Sequence, residues 1–231
     1  MKDTIKNNVE NVREKIANAA ESVGRNADEI TLVAVSKKQP IEKIIEAQAA
    51  GITAFGENQV QELLQKQAVI DLDVHWHLVG HLQSNKVNKV YNRVALIQSA
   101  DSLSLIRKLD SAGQSGKCVI DLLLQVNTSG ETSKFGFMPE AVDDICAAVE
   151  SMTAVRVKGL MTIGPLTDDI KSVTRAFADL RKIFDRLSST ASGSIRMTHI
   201  SMGMSGDFDI AIKEGSNLVR VGTSIFGQRT Y

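Results

Sequence analysis

The sequence predicts an α/β protein: a closed (β/α)8 TIM barrel with one additional helix at its N-terminus. Eight short apolar segments recur along the 231 residues, and each but the last is followed by a helical segment. The apolar segments are nearly continuous rather than alternating, which is typical of a parallel sheet covered on both faces. Eight such units in one chain favour a closed barrel over an open doubly wound sheet.

The additional helix is predicted at residues 3–22, where apolar residues recur with the spacing of one buried helical stripe. The stripe consists of Ile5, Val9, Val12 and Ile16. No linker rich in Pro or Gly interrupts the chain. We therefore expect residues 1–231 to form a single barrel domain, with the segment 1–24 packed on the barrel.

The strands of the barrel are predicted from β-branched and apolar runs, and the helices from 3.6-residue periodicity and turn residues. Pro40, for example, opens the first barrel helix and Gly51 ends it. The predicted strands are residues 30–35, 54–56, 74–79, 94–98, 118–126, 155–161, 195–201 and 218–221. The predicted helices that follow them are residues 41–50, 60–70, 84–90, 102–112, 138–151, 170–188 and 208–214.

Composition excludes several classes of protein. Lys and Arg number 27, as do Asp and Glu, so zero net charge gives no reason to expect a nucleic-acid partner. The two cysteines exclude a disulfide framework and a zinc site built on cysteine pairs. The N-terminus has no apolar core of a signal peptide, and no apolar run reaches the roughly 20 residues of a membrane span. We expect a cytoplasmic protein without a membrane partner.

The loops after strands seven and eight predict an anion site. Barrel active sites lie at the carboxyl ends of the strands, and phosphates often bind these two loops. Both loops are rich in Gly, Ser and Thr, whose backbone N–H groups and hydroxyls can bind an anion. Ordinary turn chemistry is the alternative. The candidate residues are Ser201, Met202 and Ser205 in the first loop, and Gly222 and Thr223 in the second.

Three further positions at strand ends can carry chemistry. Lys37 and Lys38 end the first strand, where a lysine can act as a Schiff-base amine or simply be solvated. Strand alternation does not decide which of the two points into the barrel mouth. Arg220 lies in an apolar strand and needs a partner, either a carboxylate or a ligand. Asn58 follows the second strand and can donate or accept at the same rim.

The histidines allow two interpretations. His75, His77 and His81 lie close together in sequence, but a zinc site of this density usually adds a carboxylate or cysteine, and none is obvious nearby. Ordinary core and rim histidines are favoured. His199 on the seventh strand can stack against a bound ring or be a hydrogen-bonded core residue.

Taken in order, these motifs resemble the pyridoxal-phosphate homeostasis protein family, the small single-domain relatives of the alanine racemase N-terminal barrel. The resemblance covers essentially the whole chain. The matching motifs are LVAVSK at 32–37, GEN at 56–58, HLVGHLQSNK at 77–86, QVN at 125–127, GLMT at 159–162, SMGMSGD at 201–207 and RVGT at 220–223.

The resemblance implies a fold-type III barrel that binds pyridoxal 5′-phosphate (PLP). It implies that Lys37 is the internal-aldimine lysine, which decides between the two lysines. It implies that Ser201, Gly222 and Thr223 hold the phosphate and that Arg220 faces the pyridine nitrogen.

The expected function is PLP homeostasis, as a carrier or reservoir with little or no turnover. Arginine does not give up its proton, so Arg220 beside the pyridine nitrogen leaves the ring neutral and a weak electron sink. The sequence ends at Tyr231, which leaves no room for the C-terminal β-domain of two-domain racemases. We expect a monomer that binds PLP, with PLP-dependent apo-enzymes as possible recipients.

Two alternatives remain open. A weak PLP-dependent racemase or lyase needs a second base opposite Lys37. A cofactor-free sugar-phosphate barrel enzyme needs a carboxylate base at a strand end, and Asp207, the one carboxylate in the phosphate loops, is expected to cap the following helix. Whether Lys38, Lys86 or Lys134 forms a second PLP adduct is also left open.

Overall fold

Eight parallel strands pair in chain order and close on themselves, since β8 pairs with β1. The computed structural model describes residues 4–71, 73–131 and 134–228. The strands are β1 (Thr31–Val35), β2 (Ala54–Glu57), β3 (His75–Leu78), β4 (Leu96–Ala100), β5 (Ile120–Gln125), β6 (Val155–Met161), β7 (Ile195–Ser201) and β8 (Leu218–Val221). The predicted barrel is confirmed.

Helices cover the outside of the barrel. They are α1 (Ile5–Glu21), α2 (Ile41–Ala49), α3 (Val60–Gln67), α4 (Val87–Val90), α5 (Leu103–Gly116), α6 (Val142–Glu150), α7 (Ile170–Thr190), α8 (Phe208–Lys213) and α9 (Thr223–Phe226). Short 3-10 turns occur at Ala27–Glu29, Ser84–Lys86 and Pro139–Ala141. In the part of the chain that the structure describes, no helix combines the length and apolarity needed to cross a membrane.

Several element boundaries differ from the prediction. The fourth strand lies two residues later than expected, at Leu96–Ala100, and the fifth is shorter than its apolar run. The last strand, predicted to have no helix after it, is followed by α9. A helix of four residues is too short to show an amphipathic period, so the pattern does not reveal it.

The barrel interior changes from apolar to polar toward the carboxyl ends of the strands. An inner apolar cluster is formed by Val33, Ala54, Leu96, Leu123, Met161 and Leu218. Two residues further along their strands, and therefore on the same face, stand the buried Gln98, Gln125 and Arg220. The apolar cluster thus supports a polar layer beneath the barrel mouth.

The helix α1 packs against α8 and α9, the two short helices that follow β7 and β8. Its predicted apolar stripe is buried. Asn8 adds a specific contact, because its side-chain Nδ2 donates to the backbone oxygen of Ile225 in α9 at 2.9 Å. The additional helix therefore supports the loops in which the anion site is expected.

Gly159 tests the packing of β6 against β7. Its φ is +148°, and a Cβ there would lie 1.8 Å from the backbone oxygen of His199. We expect Gly159→Ala to lower the free energy of unfolding by about 3 kcal/mol or more, or to prevent folding. Gly206→Ala is the control, since no atom lies within 4 Å of its added Cβ. Urea unfolding should show a change within about 0.5 kcal/mol for the control, and equal losses would contradict this account.

Candidate functional site

A cavity of about 320 Å³ opens at the carboxyl ends of the strands. It brings together six of the predicted site residues: Lys37, Asn58, Ser205, Arg220, Gly222 and Thr223. Of the two adjacent lysines, Lys37 lines the cavity. The described lining residues include two cationic side chains and no carboxylate, so the cavity favours an anionic ligand.

A larger cavity of about 800 Å³ adjoins the first one through Asn58. It lies beside α3 and α4, and its lining includes five carboxamide side chains together with Lys86 and Lys89. Neither Lys37 nor the loops after β7 and β8 contribute to it. We therefore place the functional site in the smaller cavity, where the chemically distinctive side chains converge.

The loops after β7 and β8 form an anion cradle around one oxygen atom. The Oγ of Ser205 accepts from the backbone N–H groups of Gly222 at 3.2 Å and Ser224 at 3.4 Å. The hydroxyl of Thr223 lies 3.5 Å from the same atom. Donors that converge on a single oxygen form a nest for an anion. A phosphate oxygen fits the same set of donors, so the residues present suit a phosphate monoester.

Arg220 is buried under this cavity, and no carboxylate of the described residues is hydrogen-bonded to it. Its Nη1 donates to Ser201 Oγ at 2.5 Å, and its Nη2 donates to the backbone oxygen of Thr162 at 2.7 Å. Burial lowers the pKa of Arg220 to about 10, and the nearby charge of Asp207 opposes that shift. The side chain is therefore cationic at neutral pH. A guanidinium has five N–H groups, so further donors remain for a bound molecule.

A chain of hydrogen bonds continues from Arg220 into the barrel. Ser201 Oγ donates to Gln98 Oε1 at 2.7 Å, and Gln98 Nε2 lies 2.9 Å from His77 Nδ1. Because the amide nitrogen can only donate, His77 Nδ1 is the acceptor and the imidazole is neutral. Burial, together with His199 and His75, lowers the pKa of His77 to about 4. The network thus fixes the guanidinium from below.

Three predicted site residues do not line the cavity, and their assignment as ligand contacts stays a prediction. Ser201 is fully buried in the barrel interior and contacts Arg220 and Gln98 instead. Met202 is also fully buried and belongs to the apolar core cluster. His199 lies two residues before Ser201 on the same face of β7, deeper in the barrel than the cavity.

The carboxylate of Asp207 does not cap α8 as predicted. Its Oδ1 accepts the backbone N–H of Met204 at 2.6 Å, so it stabilises the loop that precedes the helix. Gln39, Ile163 and Met204 line the cavity and were not predicted. Met204 belongs to the predicted loop, whereas no sequence pattern points to Gln39 or Ile163.

The remaining histidine, His81, lies at the rim. Its Nδ1 is 2.5 Å from Asp101 Oδ2, and its ring stacks on Phe135 with the ring centroids 4.2 Å apart. No group of three or more metal-ligating side chains occurs among residues 4–71, 73–131 and 134–228. His77 and His81 thus have protein partners.

Comparison with known proteins gives the same assignment along the whole chain. The alanine racemase N-terminal domain family matches residues 2–230. The pyridoxal phosphate homeostasis protein of Aquifex aeolicus is 39% identical, over 95% of this chain and 96% of its own. That of Pseudomonas aeruginosa is 38% identical over 99% and 97%. The chain belongs to the pyridoxal phosphate homeostasis protein family.

Solved structures agree with the family assignment. PipY of Synechococcus elongatus, in its structure with PLP bound, superposes with a TM-score of 0.81 at 34% identity, over 94% of this chain and 100% of PipY. Alanine racemase of Clostridium difficile superposes with a TM-score of 0.77 at 14% identity, and its match covers 57% of that chain. The racemase shares the barrel fold with this member of the homeostasis protein family.

The neutral state of His77 predicts a pH-dependent stability in this family member. His77 has the ordinary pKa of 6.5 in the unfolded chain and a pKa of about 4 in the folded protein. The free energy of unfolding therefore decreases as the pH falls through this window. His77→Asn keeps an acceptor for Gln98 but does not titrate. Between about pH 7 and pH 4.5, we expect this variant to lose less stability than the wild-type protein, by on the order of 2 kcal/mol.

Urea unfolding at the two pH values measures this effect. Leu123→Ala is the control, because it empties space in the barrel interior without changing a titratable group. It should lower stability equally at both pH values. A wild-type loss on acidification that persists unchanged in His77→Asn would contradict the assignment.

Proposed function

We propose that this protein binds PLP in the cavity at the barrel mouth, joined to Lys37 as a Schiff base, and holds it in the cytoplasm with little or no turnover. The observation that carries the proposal is the convergence of a lysine, an anion cradle and a buried arginine on one cavity whose described lining contains no carboxylate. The PLP bound to PipY, a relative at 34% identity, supports it.

Each part of the ligand has a partner in this arrangement. The N–H groups of Gly222 and Ser224 and the hydroxyls of Ser205 and Thr223 bind the phosphate. Arg220 donates a hydrogen bond to the pyridine nitrogen. Lys37 would hold the aldehyde carbon through a C=N bond, and the carbonyl oxygen would leave as one water. When bound, PLP supplies a reactive aldehyde and an electron-withdrawing ring.

The same residues disfavour turnover. A strong electron sink needs a protonated pyridine nitrogen, and an acidic partner usually provides that proton. Arg220 keeps its own proton at neutral pH, and the Asp207 carboxylate is occupied by the N–H of Met204. Racemisation also needs a second base opposite Lys37. No His, Asp, Glu, Tyr or Cys is found among the described residues that line the cavity.

The alternatives fit the site less well. A sugar-phosphate enzyme would use the same phosphate cradle, but it needs a carboxylate base, and the described lining of the cavity offers none. A weak racemase lacks its second base for the same reason. We further propose that residues 1–231 act as one monomeric domain that releases PLP to PLP-dependent apo-enzymes.

Absorption spectroscopy tests the covalent link. Addition of PLP to the wild-type protein should produce a band near about 420 nm, and Lys37→Ala should abolish it. Lys86→Ala is the matched control, because Lys86 lines the neighbouring cavity, and it should keep the band. Absence of a band in the wild-type protein, or its persistence in Lys37→Ala, would overturn the proposal.

Low turnover has its own test. The PLP-loaded protein should racemise L-alanine with a kcat below about 1 s⁻¹, because it lacks both a protonated ring and a second base. A coupled assay for D-alanine measures this rate, with Lys37→Ala as the blank. A lysine-dependent rate at or above that value would instead support the racemase alternative.

A further inference from the structure

A buried ion cluster lies directly behind the turn that carries Lys37. It consists of Glu57, at the end of β2, and Glu62 and Lys66 on α3; we call it the Lys66 cluster. Lys66 Nζ is 2.6 Å from Glu57 Oε1 and 2.7 Å from Glu62 Oε1. The Lys66 and Glu57 side chains are only 6% and 0% exposed. The four-residue spacing puts Glu62 and Lys66 on one face of α3.

The cluster holds the backbone on both sides of Lys37. Lys66 Nζ donates to the carbonyl oxygen of Ser36 at 2.7 Å, and the Ser36 hydroxyl donates to Glu57 Oε1 at 2.6 Å. On the other side, Glu62 Oε1 accepts the backbone N–H of Lys38 at 2.5 Å. Ser36 and Lys38, which flank Lys37, are thus both hydrogen-bonded to members of the Lys66 cluster.

The contact between Glu62 and the backbone N–H of Lys38 holds a strained backbone conformation. Lys38 has a φ of +58°, in the left-handed region that long side chains rarely adopt. Such conformations persist where surrounding contacts enforce them, and they occur preferentially at functional sites. If Glu62 no longer accepted the Lys38 N–H, the turn would relax and the side chain of Lys37 would lose its direction.

Stability alone does not explain the cluster. Burying charged groups is costly, and a well-packed apolar set of similar volume often serves a fold equally well. Glu57 Oε2 is buried with no hydrogen-bond partner in the described part of the chain, and burial raises the pKa of Glu57. A cluster that leaves one buried acceptor unsatisfied is better explained by the contacts it makes to the turn.

We infer that the Lys66 cluster positions Lys37 for its covalent bond to the ligand aldehyde, an inference that rests on the proposed function. Glu57, Glu62 and Lys66 are positioning residues, since they act through the backbone of Ser36 and Lys38. The cluster should therefore matter for forming the C=N bond and not for holding the phosphate and the ring.

Two ligands separate these contributions. PLP can form the covalent bond, whereas pyridoxine 5′-phosphate carries a hydroxymethyl group in place of the aldehyde and binds only non-covalently. We expect Glu62→Ala to weaken PLP binding about tenfold and to leave pyridoxine 5′-phosphate affinity within about twofold. Glu62→Gln keeps an oxygen that can accept the Lys38 N–H, so it should restore PLP binding to within about threefold of wild type.

Leu63→Ala is the matched control. Leu63 is fully buried on the same helix, so its truncation destabilises α3 and leaves the hydrogen bonds of Glu57, Glu62 and Lys66 to the turn in place. The ratio of the two affinities should stay at the wild-type value in this control. Lys66→Met should lower the affinity for PLP relative to that for pyridoxine 5′-phosphate, as Glu62→Ala does. If Lys66→Met does not fold, the comparison of Glu62→Ala, Glu62→Gln and Leu63→Ala decides the question.

The outcomes distinguish the inference from the proposed function. A wild-type protein with no absorption band and no preference for PLP over pyridoxine 5′-phosphate would overturn both. A wild-type protein with the band, combined with an unchanged affinity ratio in Glu62→Ala, would overturn the inference alone. An equal fall of the ratio in Leu63→Ala would also overturn it, because general loosening of α3 would then be the cause.

Discussion

The burial of the Arg220 guanidinium is the constraint on which the rest of the site depends. An unpaired buried cation is costly, and the usual remedy is a carboxylate. Here the contacts are a hydroxyl, from Ser201, and a backbone carbonyl, from Thr162. Ser201 then donates its hydroxyl hydrogen bond to Gln98, and the Gln98 amide donates to His77, so one buried charge makes the upper barrel interior polar. Because no carboxylate of the described residues is hydrogen-bonded to Arg220 or lines the cavity, the cavity is cationic.

The barrel supplies three separate supports for a ligand in that cavity. The loops after β7 and β8 hold an anion, and α1 packs on the two short helices that follow them. The network below Arg220 fixes its guanidinium beneath the cavity. The Lys66 cluster holds the turn after β1. Each support is held by hydrogen bonds within the protein, and such preorganisation reduces the ordering cost of binding.

Sequence patterns were sufficient for the fold and for the loops of the site, because parallel strands and glycine-rich turns have local signatures. They failed where the direction of a side chain decides whether it lines the cavity. Ser201 and Ser205 lie in one predicted loop, yet the first faces the barrel interior and the second the cavity. Alternation along a strand assigns residues to two faces but does not show which face points into the barrel. The alternation also stops at the end of β7, so it gives no direction for Ser205. The Lys66 cluster joins residues from β2 and α3 to the β1 turn, a contact that only tertiary structure creates.

A protein that holds PLP needs different properties from an enzyme that uses it. Catalysis of proton transfer requires a base that is free to exchange protons near the reacting carbon. In the described part of the chain, four carboxylates that follow barrel strands have protein partners: Glu57 and Glu62 with Lys66, Asp207 with a loop N–H, and Asp101 with His81. Such groups can fix geometry, but they are poorly placed to move protons. These contacts agree with the proposal that the ligand is retained rather than converted.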